Sequence, residues 1–287
     1  MKKLIKGRTI FNVINTCIML AVIIATAYPF YYVVVASFSD PDRLSSFTGV
    51  LLAPLGPFTV RAYEVVFENP LITSGFLNTL FVLVVGVTVN MCLTILGAYF
   101  LTLKGPMFKD VIAMIIVFTM YFSGGLIPSY LNVKDLGLLN SLWSLILPGA
   151  INTTNLIIMK SGFQSIPDSL VESARLDGAS YIQVLLKIMI PLSKATIAVL
   201  VLYYGVEHWN AWFNASIYLK DSDKFPIQLV LHKILSNTSM TEIDESATYL
   251  ELMKYALIVV TSAPIIALYP FIQKYFTKGV MVGVVKG

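Results

Sequence analysis

The chain has 287 residues, of which 57% are hydrophobic and 13% are charged, and its mean hydropathy is +0.79. Soluble domains carry a charge on about a quarter of their residues, so this composition excludes an ordinary soluble protein and indicates several membrane crossings. The net charge of +4 requires no nucleic-acid partner, because the basic residues are dispersed around apolar stretches rather than gathered in a patch.

Six stretches are apolar enough, and long enough at about 20 residues, to span a bilayer as helices. The sequence therefore predicts an all-α integral membrane protein with a single transmembrane domain over residues 1–287. The predicted spans are 11–36, 74–103, 111–132, 138–160, 192–218 and 252–273. "FSGGLIPSY" and "LPGAINTTN" interrupt the third and fourth spans, and such breaks are tolerated where neighbouring protein satisfies the freed backbone groups.

The N-terminal region resembles a secretory signal in its basic start, "MKKLIKGR". The apolar run that follows continues to Phe38, which is too long for a signal peptide, so we interpret it as an uncleaved first span. Cys17 and Cys92 both fall inside predicted spans. We expect them to be packing residues rather than a disulfide or a metal site.

The charge distribution orients the predicted bundle. With both termini in the cytoplasm, most Lys and Arg residues lie inside and most Asp and Glu residues lie outside, as the positive-inside rule requires. Residues 37–73 and 219–251 then form long outer loops. The connection 161–191 becomes a long cytoplasmic loop.

The cytoplasmic loop has the pattern of two short helices joined by a bend. "SIPD" at 165–168 has the capping-box form, so Ser165 is the predicted N-cap of the first helix, which Gly178 should end. "SYIQ" at 180–183 repeats that form and begins a second helix, which Pro191 should end or kink. On periodicity alone, an amphipathic helix lying in the lipid headgroups is an equally good interpretation.

Two stretches of this loop carry a family resemblance. "ESARLDGA" and "IMIPL" resemble the signature loop of type I ATP-binding-cassette (ABC) importer permeases, which has Glu-Ala-Ala, a Gly four residues later and Ile-x-Leu-Pro. Ser173 and Ile190 depart mildly from that pattern. The matching residues are Glu172, Ala174, Asp177, Gly178, Ile188 and Pro191. "MYFSGGLIPSYL", "WN" followed by "PIQL", and the ending "QKYFTKGVMVGVVKG" are similar to the second permease subunit of carbohydrate importers, in the branch for oligosaccharides.

The resemblance implies a passive half of a transport pore, without enzymatic activity or a cofactor of its own. Its implied partners are a second, homologous permease, two nucleotide-binding ATPase subunits, and an extracytoplasmic solute-binding protein that delivers the sugar. The sequence contains no G-x-x-x-x-G-K-[ST] stretch. ATP and Mg would therefore be used by the separate ATPase, and the chain would be a multi-pass protein of the bacterial plasma or inner membrane.

The resemblance also assigns a role to the helix before Gly178, which would dock as a coupling helix into a cleft of the ATPase. The implied coupling residues combine an apolar core with polar contacts and the turn: Leu170, Val171, Glu172, Ala174, Arg175, Asp177 and Gly178.

The fifth span carries the candidate substrate path. An ionisable group in a span usually faces a bundle interior or a watery cavity, and aromatic and amide side chains suit the stacking and hydrogen bonding of sugars. The candidates are Glu207, Trp209, Asn210, Trp212 and Asn214. Interfacial Trp residues and pairing of Glu207 with the other permease are competing explanations. Asn78, Asn90, Asn152 and Asn155 could line the same path, but hydrogen bonds between helices explain them equally well.

Other functions stay open at this point. A proton-coupled secondary transporter using Glu207 would be expected to show internal repeats, and we find none. An intramembrane enzyme using Glu207 and His208 is a further alternative, although His208 and His232 have no recognisable set of metal-ligand partners. The same importer class could also carry amino acids, phosphate or metals instead of sugars.

Overall fold

The computed structural model describes residues 2–237 and 253–267, and the regular structure in these residues is helical, with no strand. The helices are α1 Lys2–Ala36, α2 Pro41–Ser45, α3 Arg61–Glu68, α4 Pro70–Thr102, α5 Lys109–Tyr121, α6 Leu126–Asp135, α7 Thr153–Gln164, α8 Asp168–Leu176, α9 Tyr181–Leu192, α10 Lys194–Trp209, α11 Trp212–Tyr218, α12 Ile227–Asn237 and α13 Met253–Ala267. Two short 3-10 helices occupy Leu142–Leu145 and Ser222–Lys224. The chain divides into one unit of Met1–Pro70 with Lys233–Ala263 and another of Leu71–His232 with Pro264–Gly287.

The first unit holds the segment after α1 against the end of that helix. The Tyr28 hydroxyl accepts a hydrogen bond from the backbone nitrogen of Leu51 at 3.0 Å, and the Tyr31 hydroxyl donates to the carbonyl oxygen of Leu52 at 2.6 Å. Leu51 is buried as a result. The predicted outer loop 37–73 therefore contains ordered structure, including α2 and α3.

The second unit is built around α4, which carries a stripe of glycines at 75, 86 and 97. Three turns of α-helix take about 11 residues, so the three glycines lie on one side of α4. A β-carbon at each position would lie 3.2 Å from the Cα atom of Ile227, 2.5 Å from Nε2 of His208 and 3.1 Å from Cδ1 of Leu156, respectively. Without β-carbons, α4 packs closely against α12, α10 and α7, as small residues allow between membrane helices.

Buried hydrogen bonds accompany the glycine stripe. The Thr79 hydroxyl accepts from the backbone nitrogen of Ile227 at 2.9 Å, and Nδ2 of Asn90 lies 3.2 Å from Nε2 of His208. All three side chains involved are buried. These bonds fix the register of α4 against α10 and α12, because a shift along the helix would leave polar groups buried without partners.

Tyr204 joins three helices at the centre of the second unit. Its fully buried hydroxyl shares a hydrogen bond with the Thr94 hydroxyl at 2.7 Å and accepts another from the backbone nitrogen of Asn152 at 3.1 Å. Asn152 in turn accepts from the backbone nitrogen of Asn155 at 3.2 Å and thereby caps α7. The surrounding apolar core consists of Met91, Ala98, Tyr99, Leu101, Leu156, Met159, Phe163, Ile166, Val184, Leu185, Met189 and Leu200.

The predicted spans differ in how they compare with the helices. The first two correspond to continuous apolar helices over Phe11–Ala36 and Pro70–Thr102. The third is bent by 118° between α5 and α6, at the "FSGG" break. In the fourth, 138–160, the α-helix α7 begins only at Thr153, after a turn-rich segment that contains most of the "LPGAINTTN" interruption.

The last two predicted spans are also modified. The fifth ends at Trp209 and resumes at Trp212, and α9 and α10 meet at a bend of 83°. Of the sixth, the described part is α13, and its remainder lies outside the described residues. Within the described residues, two helices are long enough to cross a bilayer, or up to four crossings exist if each bent pair is one span, so the count of six stays a prediction.

The two cysteines lie on the helices of the first two predicted spans. Cys17 and Cys92 are both free thiols, and they are exposed on the surfaces of α1 and α4 respectively, so they do not pack in the core of this chain. Apolar residues on a span can face lipid as readily as protein, and hydropathy alone does not distinguish the two surfaces.

The glycine stripe makes a direct stability prediction. Gly86→Ala should destabilise the protein by about 1–3 kcal/mol, because the added β-carbon would overlap the buried His208 ring. Gly205→Ala, on α10, is the matched control, since its β-carbon would meet Leu83 Cδ1 at an ordinary 3.7 Å. The measurement is the thermal unfolding midpoint of the detergent-solubilised chain; equal midpoints for the two variants would contradict the proposed packing.

Candidate functional site

The candidate site is the pair of helices α8 and α9 with the bend between them. The prediction that Ser165 begins the first helix is wrong, because α7 extends to Gln164 and α8 starts only at Asp168. The Ser165 hydroxyl donates to the carbonyl oxygen of Gly162 at 2.7 Å, so it bonds to the last turn of α7 instead of capping α8. Pro167 precedes α8 and provides no side-chain cap.

The bend itself follows the sequence closely. Gly178 has a φ of +84°, as predicted for a helix-ending glycine. The backbone nitrogens of Gly178 and Ala179 donate to the carbonyl oxygens of Arg175 and Ala174 at 3.1 and 2.9 Å, which is the Schellman pattern of a helix C-terminus. The helix end is therefore closed by its own backbone, and a left-handed residue is required there.

The start of α9 confirms the second predicted capping box. The Ser180 hydroxyl accepts from the backbone nitrogen of Gln183 at 3.3 Å, and the Gln183 side chain accepts from the backbone nitrogen of Ser180 at 2.8 Å. Further along α9, Leu185–Met189 forms a π-helical turn just before Pro191, whose ring cannot fit a regular helix. The helix ends at Leu192, and the chain turns sharply into α10, so the predicted kink at Pro191 is present.

The apolar residues of α8 face two ways. Val171 and Ala174 are partly buried and pack against the core of the second unit. Leu170 and Leu176 are 46% and 88% exposed, and Glu172 also faces outward. The structure therefore divides the predicted apolar contact group into an anchoring side and an exposed side.

Ionic contacts connect α8 to the C-terminal end of α4. The Lys104 ammonium lies 2.7 Å from Oδ2 of Asp168 and 3.5 Å from Oε1 of Glu172. The hydrogen bond to Asp168 raises the pKa of Lys104 above its ordinary value. Lys104 is thus protonated at physiological pH and bridges two carboxylates one turn apart on α8.

Aromatic contacts hold the bend. The Arg175 guanidinium carbon lies 3.8 Å from the centre of the Tyr181 ring, and Nη1 of Arg175 donates to the Ala179 carbonyl oxygen at 3.1 Å. The Tyr99 hydroxyl donates to the Tyr181 carbonyl oxygen at 3.0 Å. Because Arg175 lies on α8 and Tyr181 on α9, these contacts hold the two helices together across the bend.

A cleft of about 830 Å³ lies between the end of α4 and the α8–α9 pair. Tyr99, Lys104, Glu172, Arg175 and Tyr181 are among its lining residues. The cleft therefore brings together charged, aromatic and apolar groups beside the exposed side of α8.

The candidate path residues on α10 and α11 are divided by burial. Glu207 and Asn210 are exposed, and Tyr203, one turn earlier, is exposed on the same side. Trp209 is only 9% exposed, and its Nε1 atom is buried without a hydrogen-bond partner among the described residues. The structure groups Glu207 with Asn210 and places Trp209 towards the core.

The remaining path candidates are near the end of the same segment. Trp212 stacks on the His232 ring with 4.0 Å between centroids, and Asn214 is exposed. Asn78 donates to the carbonyl oxygens of Asp223 and Phe225 at 2.7 and 3.2 Å. The side chains of Asn78 and Asn90 therefore bond to other segments, whereas the Asn152 side chain caps α7 by accepting from the backbone nitrogen of Asn155.

The contacts of Lys104, Tyr99 and Tyr181, and the place of Tyr203 beside Glu207, were not predicted from the sequence. Lys104 reaches Asp168 across 64 residues of sequence, and Tyr99 reaches Tyr181 across 82. No local pattern marks such pairs. Tyr203 had a usable signal, because it precedes Glu207 by four residues on one helix.

An all-helical membrane chain with an exposed, rigidly turned helix pair is the arrangement that the sequence resemblance predicted for a permease subunit of an ABC importer. The chain belongs to the family of binding-protein-dependent transport system inner membrane components, whose family model matches residues 5–282. The resemblance seen in the sequence is thereby confirmed, and the protein is a transport component of the membrane.

Individual relatives and a solved structure support the same assignment. The chain is 43% identical over 265 residues to the polygalacturonan/rhamnogalacturonan transport system permease protein YtcP of Bacillus subtilis (strain 168), covering 90% of this chain and 92% of YtcP. It is 40% identical over 287 residues to the protein LplC of the same strain, covering 98% and 97%. It also matches the crystal structure of a bacterial ABC transporter involved in the import of the acidic polysaccharide alginate, with a TM-score of 0.87, 32% identity and coverage of 94% and 98%.

The Schellman turn predicts how the bend tolerates substitution. A β-carbon at Gly178 would meet nothing within 4 Å, so only the φ of +84° opposes a side chain there. Gly178→Val should destabilise the isolated chain by on the order of 1 kcal/mol or more, whereas Gly178→Asn should cost less, because Asn adopts left-handed conformations more readily. Hydrogen exchange of the α8 amides measures the difference. Equal protection in both variants would contradict the argument from backbone strain.

Proposed function

We propose that this chain forms one half of a pore that imports an acidic oligosaccharide, and that a separate ATPase drives it by acting on α8. Two ATPase subunits, a second permease and an extracytoplasmic binding protein complete the proposed importer. Both termini lie in the cytoplasm in this arrangement, and ATP and Mg are used by the ATPase.

The exposed side of α8 is the observation that carries the proposal. Leu170 and Leu176 are large apolar residues on the surface, next to the charged groups of Glu172 and Arg175. Apolar surface framed by polar residues is typical of an interaction site. The helix is closed by the Schellman turn at one end and tied to Lys104 at the other, so a partner that displaces α8 moves it as a rigid element.

The structure also offers a route from α8 to the path. Val171 and Ala174 pack on the core that includes parts of α4, α7, α9 and α10. Beyond the bend, α9 leads directly into α10, which carries Glu207 and Asn210 on an exposed side. Movement of α8 would therefore tilt α10 and change the surface that faces the second permease.

The proposed cargo comes from the relatives and the chemistry of the path. YtcP is named for polygalacturonan and rhamnogalacturonan, and the matched solved transporter imports alginate. The stacked rings of Trp212 and His232 provide an aromatic surface on which a sugar ring can stack. The acidic character of the proposed cargo is inferred from YtcP and the alginate transporter. A proton-coupled secondary transporter using the exposed Glu207 is the competing function.

Uptake by the reconstituted importer tests the cargo. We expect proteoliposomes that contain this chain, its partner permease, the ATPase and the binding protein to accumulate trigalacturonate when ATP is supplied, and to reject maltotriose, which carries no carboxylate. Preference for maltotriose would contradict the acidic cargo. Proteoliposomes with this chain alone should show no ATP hydrolysis and no uptake; uptake driven there by a pH gradient would support the secondary transporter instead.

Substitutions in α8 and its bend test the coupling role. Gly178→Asp should reduce cargo-stimulated ATP hydrolysis at least tenfold while membrane insertion survives, because it adds bulk and charge where the ATPase would dock. Glu172→Lys reverses a surface charge and should lower the amount of ATPase that co-purifies. Lys134→Glu is the control, since it reverses an exposed charge on α6. Wild-type coupling in both α8 variants would mean that α8 is an interfacial helix.

A further inference from the structure

Lys104 connects two elements that the chain separates widely. It lies just after α4 ends at Thr102, and its ammonium contacts the carboxylates of Asp168 and Glu172 on successive turns of α8. One residue of the α4 end thus contacts α8 at two points. Two contacts one turn apart restrain the orientation of α8 relative to α4 more than a single contact would.

The ion pairs are too exposed to serve mainly as stabilising contacts. The side chains of Lys104 and Asp168 are 72% and 69% exposed. Exposed ion pairs contribute little to folding stability, because water and salt screen them. The fold of the second unit instead rests on its buried core, so loss of Lys104 should leave that fold intact.

The α4 end is also well placed to transmit movement. α4 is a continuous helix of 33 residues, which is roughly 50 Å long. Its other end packs against α12 at Gly75, and its middle packs against α10 at Gly86. A displacement received at Lys104 would therefore reach residues far from α8 through one rigid rod.

We propose that Lys104 is a positioning residue that links α8 to α4 and so provides a second route for the motion that the ATPase imposes. The first route runs through α9 into α10. This inference rests on the proposed function, because it takes α8 as the element on which the ATPase acts. Without Lys104, α8 would still dock but would transmit its movement through α9 alone.

Charge variants in the reconstituted complex test the link. We expect Lys104→Met to lower the ratio of trigalacturonate-stimulated to basal ATP hydrolysis about threefold or more, with a normal amount of co-purified ATPase. Lys104→Arg should retain most of the stimulation, and Lys104→Glu should lose more than Lys104→Met. In the double variant Lys104→Glu with Asp168→Lys, restored attraction should recover part of the loss.

A neighbouring lysine provides the matched control. The Lys109 ammonium donates to the Leu103 carbonyl oxygen at 3.0 Å and makes no ion pair in the part of the chain that the structure describes. Lys109→Met should therefore couple like the wild type. Wild-type stimulation in Lys104→Met, or a double variant no better than Lys104→Glu, would overturn the inference.

Hydrogen exchange of the isolated chain tests the Lys104 link independently of the proposed cargo and of the proposed partners. In the isolated full-length chain, Lys104→Met should raise exchange of the α8 amides several-fold and leave α10 unchanged, and raised ionic strength should have the same effect on the wild type. Unchanged exchange of α8 in Lys104→Met would overturn the link even if the complex transports normally. Failure of the wild-type complex to hydrolyse ATP in response to trigalacturonate would overturn the cargo but not this result.

Discussion

The close approach of α4 to its neighbours is the contact on which the second unit depends. Glycines at 75, 86 and 97 let α12, α10 and α7 contact the helix at distances that a β-carbon would make impossible at 86 and crowded at 75 and 97. Apolar packing gives little net attraction between helices in lipid, where the hydrocarbon is as apolar as the side chains, so close contact and hydrogen bonds must stabilise the bundle. The bonds of Thr79, Asn90 and Thr94 follow the same side of α4.

This packing gives the permease its mechanical character. Because α4 is unbroken and closely packed at three levels, it behaves as a rod, while α9 and α10 meet at a bend of 83°. The α4 rod and the bent α9–α10 pair both have one end near α8. In the proposed importer, α4 would transmit displacement over its full length, and the α9–α10 pair would convert displacement into tilt. The exposed side of α10 with Tyr203, Glu207 and Asn210 is where such a tilt would alter the proposed path.

The sequence predicted the bend between α8 and α9 well and the starts of other helices poorly. Gly178 and the Ser180–Gln183 pair act through bonds a few residues long, so their patterns carry the full information. The prediction that Ser165 is an N-cap was wrong for the opposite reason. Its hydroxyl can bond to the helix before it or to the helix after it, and the length of α7 decided between the two. Within the predicted span 138–160, hydropathy did not distinguish the turn-rich segment from helix, and the Asn152 cap fixes where α7 begins.

The sequence by itself determined the class of protein, the membrane setting and the helix–glycine–helix pattern of the loop 161–191, because composition, hydropathy and short-range capping are local properties. The spacing of the α4 glycines is also visible in the sequence, but their partners are not. Only the tertiary structure decided that Trp209 is buried while Glu207 and Asn210 are exposed, and that Lys104 meets Asp168. Those outcomes depend on how helices far apart in the chain pack together, and each pairing is set by steric fit and by hydrogen bonds that no local pattern encodes.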